Sequence, residues 1–398
     1  MRILVHDYSG HPFQVQLSRE LAKRKHEVLH LYSGSFQTPH GNLSKNESDP
    51  DNFRCQAIDL KEVFEKYSFL KRRSQEIKYG KLLIIEAENF VPDVVISSNT
   101  PLDPQDVFQK YCLQKNITFI FWLQDMYGVA IKKLLTQKLG ILGKLIGGYY
   151  QRKEVRLLNR SNAIVAITKD FRPLLEGVGI SPHKIYVINN WAPIEEVQLY
   201  GKDNPWSRKF KLHDKYCVLY AGTLGMKHNP QLLLDVAIHC QPFDDYRVIV
   251  ISEGPGADFL KKKKEDLGLQ NFLIMDFQPF EELSYVLASG DILLTILEKD
   301  AGIYCVPSKV LTYLCAKRPL VLAVPAENLA ARIVSENAAG FVASPDDPAG
   351  FIQGIEELFQ DKKLRQSMAE NGRRYAKSNF NITSITDKFE RIIFSAIS

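Results

Sequence analysis

The stretch "CVPSKVLTYLCAKRPLVLAVP", Cys305 to Pro325, decides how the rest of the chain is read. It predicts a loop, a short helix opening around Pro307, Ser308 and Lys309, and then a buried apolar strand. A helix start already carries unpaired N–H groups and about half a positive charge. A lysine placed there is electrostatically unfavourable unless an anion lies in front of it. The segment therefore predicts a strand-and-helix sheet with an anion site at its edge.

Outward from this point, strand-then-helix units recur. "YCVLYAGTLG", "YRVIVISEGPG", "NFLIMDFQPF", "DILLTILEKD" and "AAGFVASPDD" read as further strands, most of them separated by leucine-rich helical patterns. The first half holds a second series: "RILVHDY", a turn at "SGHPF", a helix with Phe13, Leu17 and Leu21 on one face, then "EVLHLYS", "DVVISSN", "ITFIFWLQD", "AIVAIT" and "KIYVINNWAP". Largely apolar runs of this kind suit parallel strands buried on both faces. At 398 residues the chain is too long for one ordinary core. We expect an α/β protein with two Rossmann-like, doubly wound domains. Residues 1–193 form the first, 194–215 a polar connection and 216–380 the second. The tail 381–398, with Ile385, Phe389, Ile392 and Ile393 at helical spacing, is expected to pack back on the first domain.

Composition narrows the class. The chain is 45% apolar and 24% charged, as soluble globular proteins are, and has no apolar run long enough to span a membrane. Its start lacks the apolar region of a signal peptide, and the six cysteines form no CxxC pair, so a cytoplasmic setting with reduced thiols is expected. The nine histidines show no metal-ligand spacing, so no bound metal is expected. Charge is uneven: residues 1–195 carry 27 basic against 20 acidic side chains, and the remainder 24 against 26. Two basic segments stand out, 66–81 and 131–160, the second also carrying Leu134, Leu135, Leu139, Leu142, Leu145 and Ile146. That mixture fits either an anionic membrane surface or a solvated helix pair on its own domain. No nucleic-acid reading module accompanies it.

Polar groups cluster at the strand ends of the second half: Gly222, Thr223 and Lys227, then Glu253 and Gly254, then Phe277 and Gln278, and finally Val306, Pro307, Ser308 and Lys309. Lysines and glycine turns converging on one sheet edge suit a diphosphate. Plainer readings stand beside these. Ser308 is equally an N-cap, Glu253 a cap for the next helix, and Asp125 a structural hydrogen-bonding group.

The order and spacing of "SGHPFQVQLSRELAKRKHEVLHLYS", "SSNTP", "FWLQDMYG", "VINNWAP", "YAGTLGMKHNP", "SEGPG", "FQPFEELSYVLASGDILL" and "VPSKVLTYLCAKRPLVLAVP" resemble glycosyltransferase family 4. The resemblance is nearest to its bacterial surface-polysaccharide branch, which includes colanic-acid transferases. It implies a GT-B fold, two domains facing across a cleft, and retaining transfer of a sugar from a UDP- or GDP-sugar with no required cofactor. The implied acceptor is a saccharide, on a polyprenyl diphosphate, and the implied setting is the inner face of the plasma membrane. By the same resemblance Gly10 lies against the sugar phosphate. Gly222, Lys227, Ser308 and Lys309 serve the phosphates, Phe277 and Gln278 border the base, and Gln124 and Asp125 stand near the reacting sugar. Three departures accompany it. The family's paired glutamates are Tyr304 and Thr312 here, its phosphate-loop arginine is Thr223, and two helix-end glycines are Lys25 and Lys317. A sugar-nucleotide 2-epimerase of the same fold, or a non-catalytic nucleotide-sugar-binding partner, are the alternative readings.

Overall fold

The computed structural model describes residues 1–35, 43–44, 46–62, 64–65, 68–225, 228–304 and 306–397, apart from the side chains of Phe69 and Ala301. The chain divides into two compact units, Met1–Asn189 with Ile382–Ser398, and Asn190–Asn381.

In the first unit strands and helices alternate: β1 (Arg2–Asp7), α1 (Pro12–Lys23), β2 (Glu27–Ser33), β3 (Phe53–Ile58), α2 (Phe69–Phe90), β4 (Val94–Ser98) and α3 (Leu102–Gln114). They continue with β5 (Thr118–Leu123), α4 (Tyr127–Arg160), β6 (Ala163–Ala166), α5 (Phe171–Gly177) and β7 (Ile185–Val187). All seven strands pair in parallel in the order β3-β2-β1-β4-β5-β6-β7. The central strands are buried along nearly their whole length because helices cover both faces, which is why their sequences are apolar throughout. β3 escaped the sequence reading. It is an edge strand, and the four middle residues of "FRCQAI" are partly or wholly exposed, so it lacks the continuous apolar signal.

The second unit begins with the stretch expected as a connection, which is folded into it. Asn204 caps the short helix α6 (Pro205–Lys209), and Val197, Trp206 and Leu212 are buried. Then follow β8 (Tyr216–Ala221), α7 (Gln231–Cys240), β9 (Tyr246–Ile251), α8 (Pro255–Leu267), β10 (Phe272–Met275), α9 (Leu283–Ser289), β11 (Ile292–Ile296) and α10 (Ser308–Cys315). β12 (Leu320–Ala323), α11 (Leu329–Glu336), β13 (Gly340–Ala343), α12 (Pro348–Gln360) and α13 (Lys362–Asn379) complete it. Its six parallel strands run β10-β9-β8-β11-β12-β13.

The chain returns to the first unit with α14 (Ile382–Ile397). Phe389 stacks edge-on against Trp122 of β5, centroids 4.8 Å apart, and Arg24 bonds both Asp387 and Glu390 at 2.6 Å. Both helix-end lysines hold left-handed backbone, Lys25 at φ 70 and Lys317 at φ 55. At Lys25 the geometry is a Schellman close: its N–H donates to the Ala22 carbonyl, and that of His26 to Leu21. Glycine is the unstrained residue there, so we expect Lys25→Gly to raise the unfolding free energy by up to about 1 kcal/mol. A fall in the midpoint of thermal unfolding would contradict this.

Candidate functional site

Strand order reverses between β8 and β11 in the second sheet, the place where doubly wound sheets open a crevice at the carboxyl ends of their strands. Here the opening is explicit. The ladder between these strands runs only through Val218–Ile292 and Leu219–Leu293, while β8 continues to Ala221 and β11 to Ile296. Beyond Leu219 the backbone groups of β8 on this side need another partner. Tyr313 of α10 supplies it: its hydroxyl accepts from the Ala221 N–H at 2.8 Å and donates to the Ala221 carbonyl at 3.0 Å. Burial drives the Tyr313 hydroxyl far above its ordinary pKa, so it keeps the proton it donates.

One helical turn before Tyr313, on the same face, stands Lys309. Its ammonium lies 3.7 Å from the centre of the Tyr220 ring, and the Tyr220 hydroxyl donates to the Thr223 carbonyl at 2.8 Å. Gly222 is fixed by two constraints. Its φ is 136, and a Cβ there would stand 3.0 Å from both Cε and Nζ of Lys309. Among the described residues no carboxylate pairs with Lys309, and burial pulls its pKa down to about 7 although part of the side chain still meets solvent. An ammonium in this state is stabilised by any anion that reaches it.

The start of α10 differs from the N-cap reading. Pro307 holds the cap position, no side chain caps the helix, and Ser308 is its first, exposed residue. Val306 and Pro307 lead into it half-buried, and Thr312 follows one turn on, also half-buried. At the end of β9, Gly254 (φ 96) precedes α8 and has open space where a side chain would be. Glu253 does not cap that helix; its carboxylate accepts the Phe277 N–H at 3.2 Å. Gln278 receives the Trp206 indole N–H at 3.0 Å and donates to the Asp276 carbonyl at 2.9 Å. Lys227 lies outside the described residues. Tyr220, Tyr313 and Trp206 were absent from the sequence reading. The spacing of Tyr313 four residues after Lys309 was the available signal.

The first unit has its own reversal between β1 and β4. Gly10 (φ 72) sits in the turn after β1, which closes on the fully buried Asp7. That carboxylate accepts the N–H groups of Ser9 (3.1 Å) and His11 and the Asn99 amide (3.0 Å). Beneath it, His6 bonds Tyr79 and Ser97, each at 3.0 Å, and Thr100 at 3.1 Å; burial lowers its pKa to about 3, so the ring is neutral. Gln124, buried, and Asp125, half-buried, follow β5. Glu154 accepts the Gly128 N–H at 3.0 Å just beyond them, and burial raises its pKa to about 7. No cluster of metal-binding side chains occurs among the described residues, and no helix there is long and apolar enough to cross a membrane.

Residues 13–196 match the family described as Glycosyltransferase Family 4, and residues 203–375 the one described as Glycosyl transferases group 1. The chain belongs to glycosyltransferase family 4. Its sheets are those of the GT-B type. Over 238 residues it is 23% identical to the uncharacterized glycosyltransferase MJ1069 of Methanocaldococcus jannaschii, covering 59% of each chain. Over 166 residues it is 22% identical to the putative colanic acid biosynthesis glycosyl transferase WcaI of Escherichia coli K12, covering 41% of this chain and 38% of that one. The chain thus matches about half the length of the curated relatives. Among solved structures, Anabaena Alr3699/HepE in complex with UDP and glucose superimposes with a TM-score of 0.72 at 15% identity, covering 99% of this chain and 100% of that one.

Against that family the absent glutamates leave an exposed Tyr304 and a half-buried Thr312. Thr223 lends its carbonyl to Tyr220. Removing the Tyr313 hydroxyl takes the partner from the N–H and carbonyl of the half-buried Ala221. Tyr313→Phe should therefore lose about 1–3 kcal/mol of stability, read by thermal unfolding. An unchanged midpoint would mean that β8 needs no such partner.

Proposed function

We propose that the protein is a retaining glycosyltransferase. It moves a hexose or related sugar from a nucleotide-diphosphate sugar to a saccharide acceptor carried on polyprenyl diphosphate, in the synthesis of a bacterial surface polysaccharide. One observation carries the donor half of this reading. At the β8/β11 opening an ammonium without a carboxylate partner among the described residues faces a glycine turn and an uncapped helix start.

Breaking a nucleotide-sugar bond builds negative charge on the departing diphosphate and oxocarbenium character on the sugar. Lys309 and the α10 N-terminus stabilise that charge most while it develops, which lowers the barrier instead of merely tightening binding. The family resemblance brings Lys227 to the same phosphates. It also assigns the segment around Phe277 and Gln278 to the base, and Gly10, Gln124 and Asp125 to the sugar. HepE is seen with UDP, so UDP-sugars are the first donors to test and GDP-sugars the second.

A panel of UDP- and GDP-sugars, read by thermal shift and then by nucleoside-diphosphate release, tests the reading. Lys309→Met is expected to lower turnover about a hundredfold, the usual loss for a group aimed at transition-state charge. Unchanged affinity and turnover in Lys309→Met combined with Lys227→Met would refute the assignment.

The titration of Lys309 adds a pH signature. The free protein holds this lysine at about 7, and a bound diphosphate raises it. The complex then carries more protons than the free protein above that pH, so affinity falls as pH rises, by up to about tenfold per unit. Calorimetry in buffers of different ionisation enthalpy should show proton uptake on UDP binding at pH 8, absent in Lys309→Met. Equal affinity across this range would contradict a neutral resting Lys309.

A further inference from the structure

The two basic segments of the first unit are not alike. In α2 four of the basic side chains pair with carboxylates of the same unit: Arg72 with Glu76 at 2.7 Å, Arg73 with Asp103 at 3.1 Å, Lys78 with Glu62 at 2.9 Å and Lys71 with Glu65 at 3.8 Å. The helix α4 is a different object. Gly140 (φ 55, ψ −126) breaks it into two arms. Glycines let the arms meet: a Cβ on Gly128 would lie 2.8 Å from Gln151 Cα, one on Gly147 2.4 Å from Lys132 Cα, and one on Gly143 1.8 Å from the Leu135 carbonyl oxygen. These contacts describe one antiparallel hairpin with its tip at Gly140.

The base of the hairpin is tied down. Tyr150 donates to Asp103 at 2.8 Å, Lys153 pairs with the same carboxylate, and Glu154 is buried against Gly128. The tip is not. Ile141 is 82% exposed, Leu145 64% and Leu142 59%, with Leu134 and Leu139 close behind. Exposed Lys133, Lys138 and Lys144 surround them, and the only acidic residue between 127 and 160 is the buried Glu154.

We infer that this tip is a membrane-docking device, its leucines and isoleucine seated in the interfacial layer of an anionic bilayer with the lysines at the headgroups. Interfacial helices bury their apolar face about 5–10 Å deep, which the first two turns beside Gly140 span. Charge complementarity selects this occupant. A second copy would set Lys133, Lys138 and Lys144 against their equals, whereas anionic lipid attracts each of them. The inference rests on the proposed lipid-linked acceptor only for its biological sense; its geometry is independent of the donor site.

Flotation of the full chain with phosphatidylcholine vesicles, with and without phosphatidylglycerol, tests it. The protein should float with the anionic vesicles. Lys133→Glu with Lys138→Glu and Lys144→Glu, and separately Ile141→Ser with Leu142→Ser and Leu145→Ser, should each weaken binding at least tenfold. Lys71→Glu with Lys81→Glu in α2 should leave it unchanged, and Ile141→Trp should shift its fluorescence to the blue on anionic vesicles. No flotation, or flotation untouched by the serine substitutions, overturns the inference. So does a dimer in solution that those substitutions dissociate. UDP-induced thermal stabilisation read in the same preparations separates the two proposals: its loss with flotation intact sinks the donor site, and the reverse sinks the tip.

Discussion

A strand at the reversal of a doubly wound sheet has to part from its neighbour, and its last backbone groups on that side then face no ladder. Here that constraint is met by one hydroxyl, Tyr313, which serves both the N–H and the carbonyl of Ala221. The bond does more than satisfy two polar atoms. It also ties α10 to the end of β8. With α10 so placed, Lys309 one turn earlier lies across the Tyr220 ring and against Gly222. Tyr220 in turn holds the turn carbonyl of Thr223. The cation, the glycine turn and the strand end are parts of one assembly.

Most of the sheet architecture was legible in the sequence because parallel strands buried on both faces carry unbroken apolar runs. "ILLTI" and "LVLA" are buried at every position. Where a strand is covered on one side only, as at β3, the run breaks and the strand goes unread. The segment 194–215 misled for a related reason. Its few anchors, Val197, Trp206 and Leu212, are spaced irregularly, so a tightly folded loop looks like a linker. At the site, residue type was readable where it broke a rule: a lysine at a helix start, a glycine after a strand. Tyr313 and Tyr220 broke none, since tyrosine is ordinary in a helix or a strand; the four-residue spacing of Tyr313 from Lys309 was the one clue, and the tertiary arrangement shows what both do. Ser308 was misplaced by one position because Pro307 takes the cap.

Net charge is a poor guide to what a surface does unless each charge is traced to its partner. The segment 66–81 and the segment 131–160 look equivalent as composition. In α2, both arginines and two of the lysines meet carboxylates from α2 itself, from α3 and from the loop before α2. In the hairpin the only carboxylate is buried at the base, doing the work of a helix cap for Gly128. The glycines that let the arms touch also leave the tip without large side chains to turn inward, so its leucines point outward.

The two sheets share a reversal point but not its chemistry, and this asymmetry argues for where a diphosphate goes. In the first unit the turn after β1 already encloses an anion of its own. Asp7 takes the N–H groups of Ser9 and His11 and the Asn99 amide, and beneath it the His6 network is neutral. A phosphate arriving there would find those donors engaged and a buried carboxylate beside it, an arrangement that is repulsive in a medium of low dielectric. In the second unit the corresponding turn encloses no acid among the described residues. It offers a glycine without a Cβ, an uncapped helix start and an ammonium that burial has driven toward neutrality. The binding energy of an anion at this place includes the recovery of that lysine's charge. One fold used twice yields one turn closed on its own carboxylate and one left open to an anion.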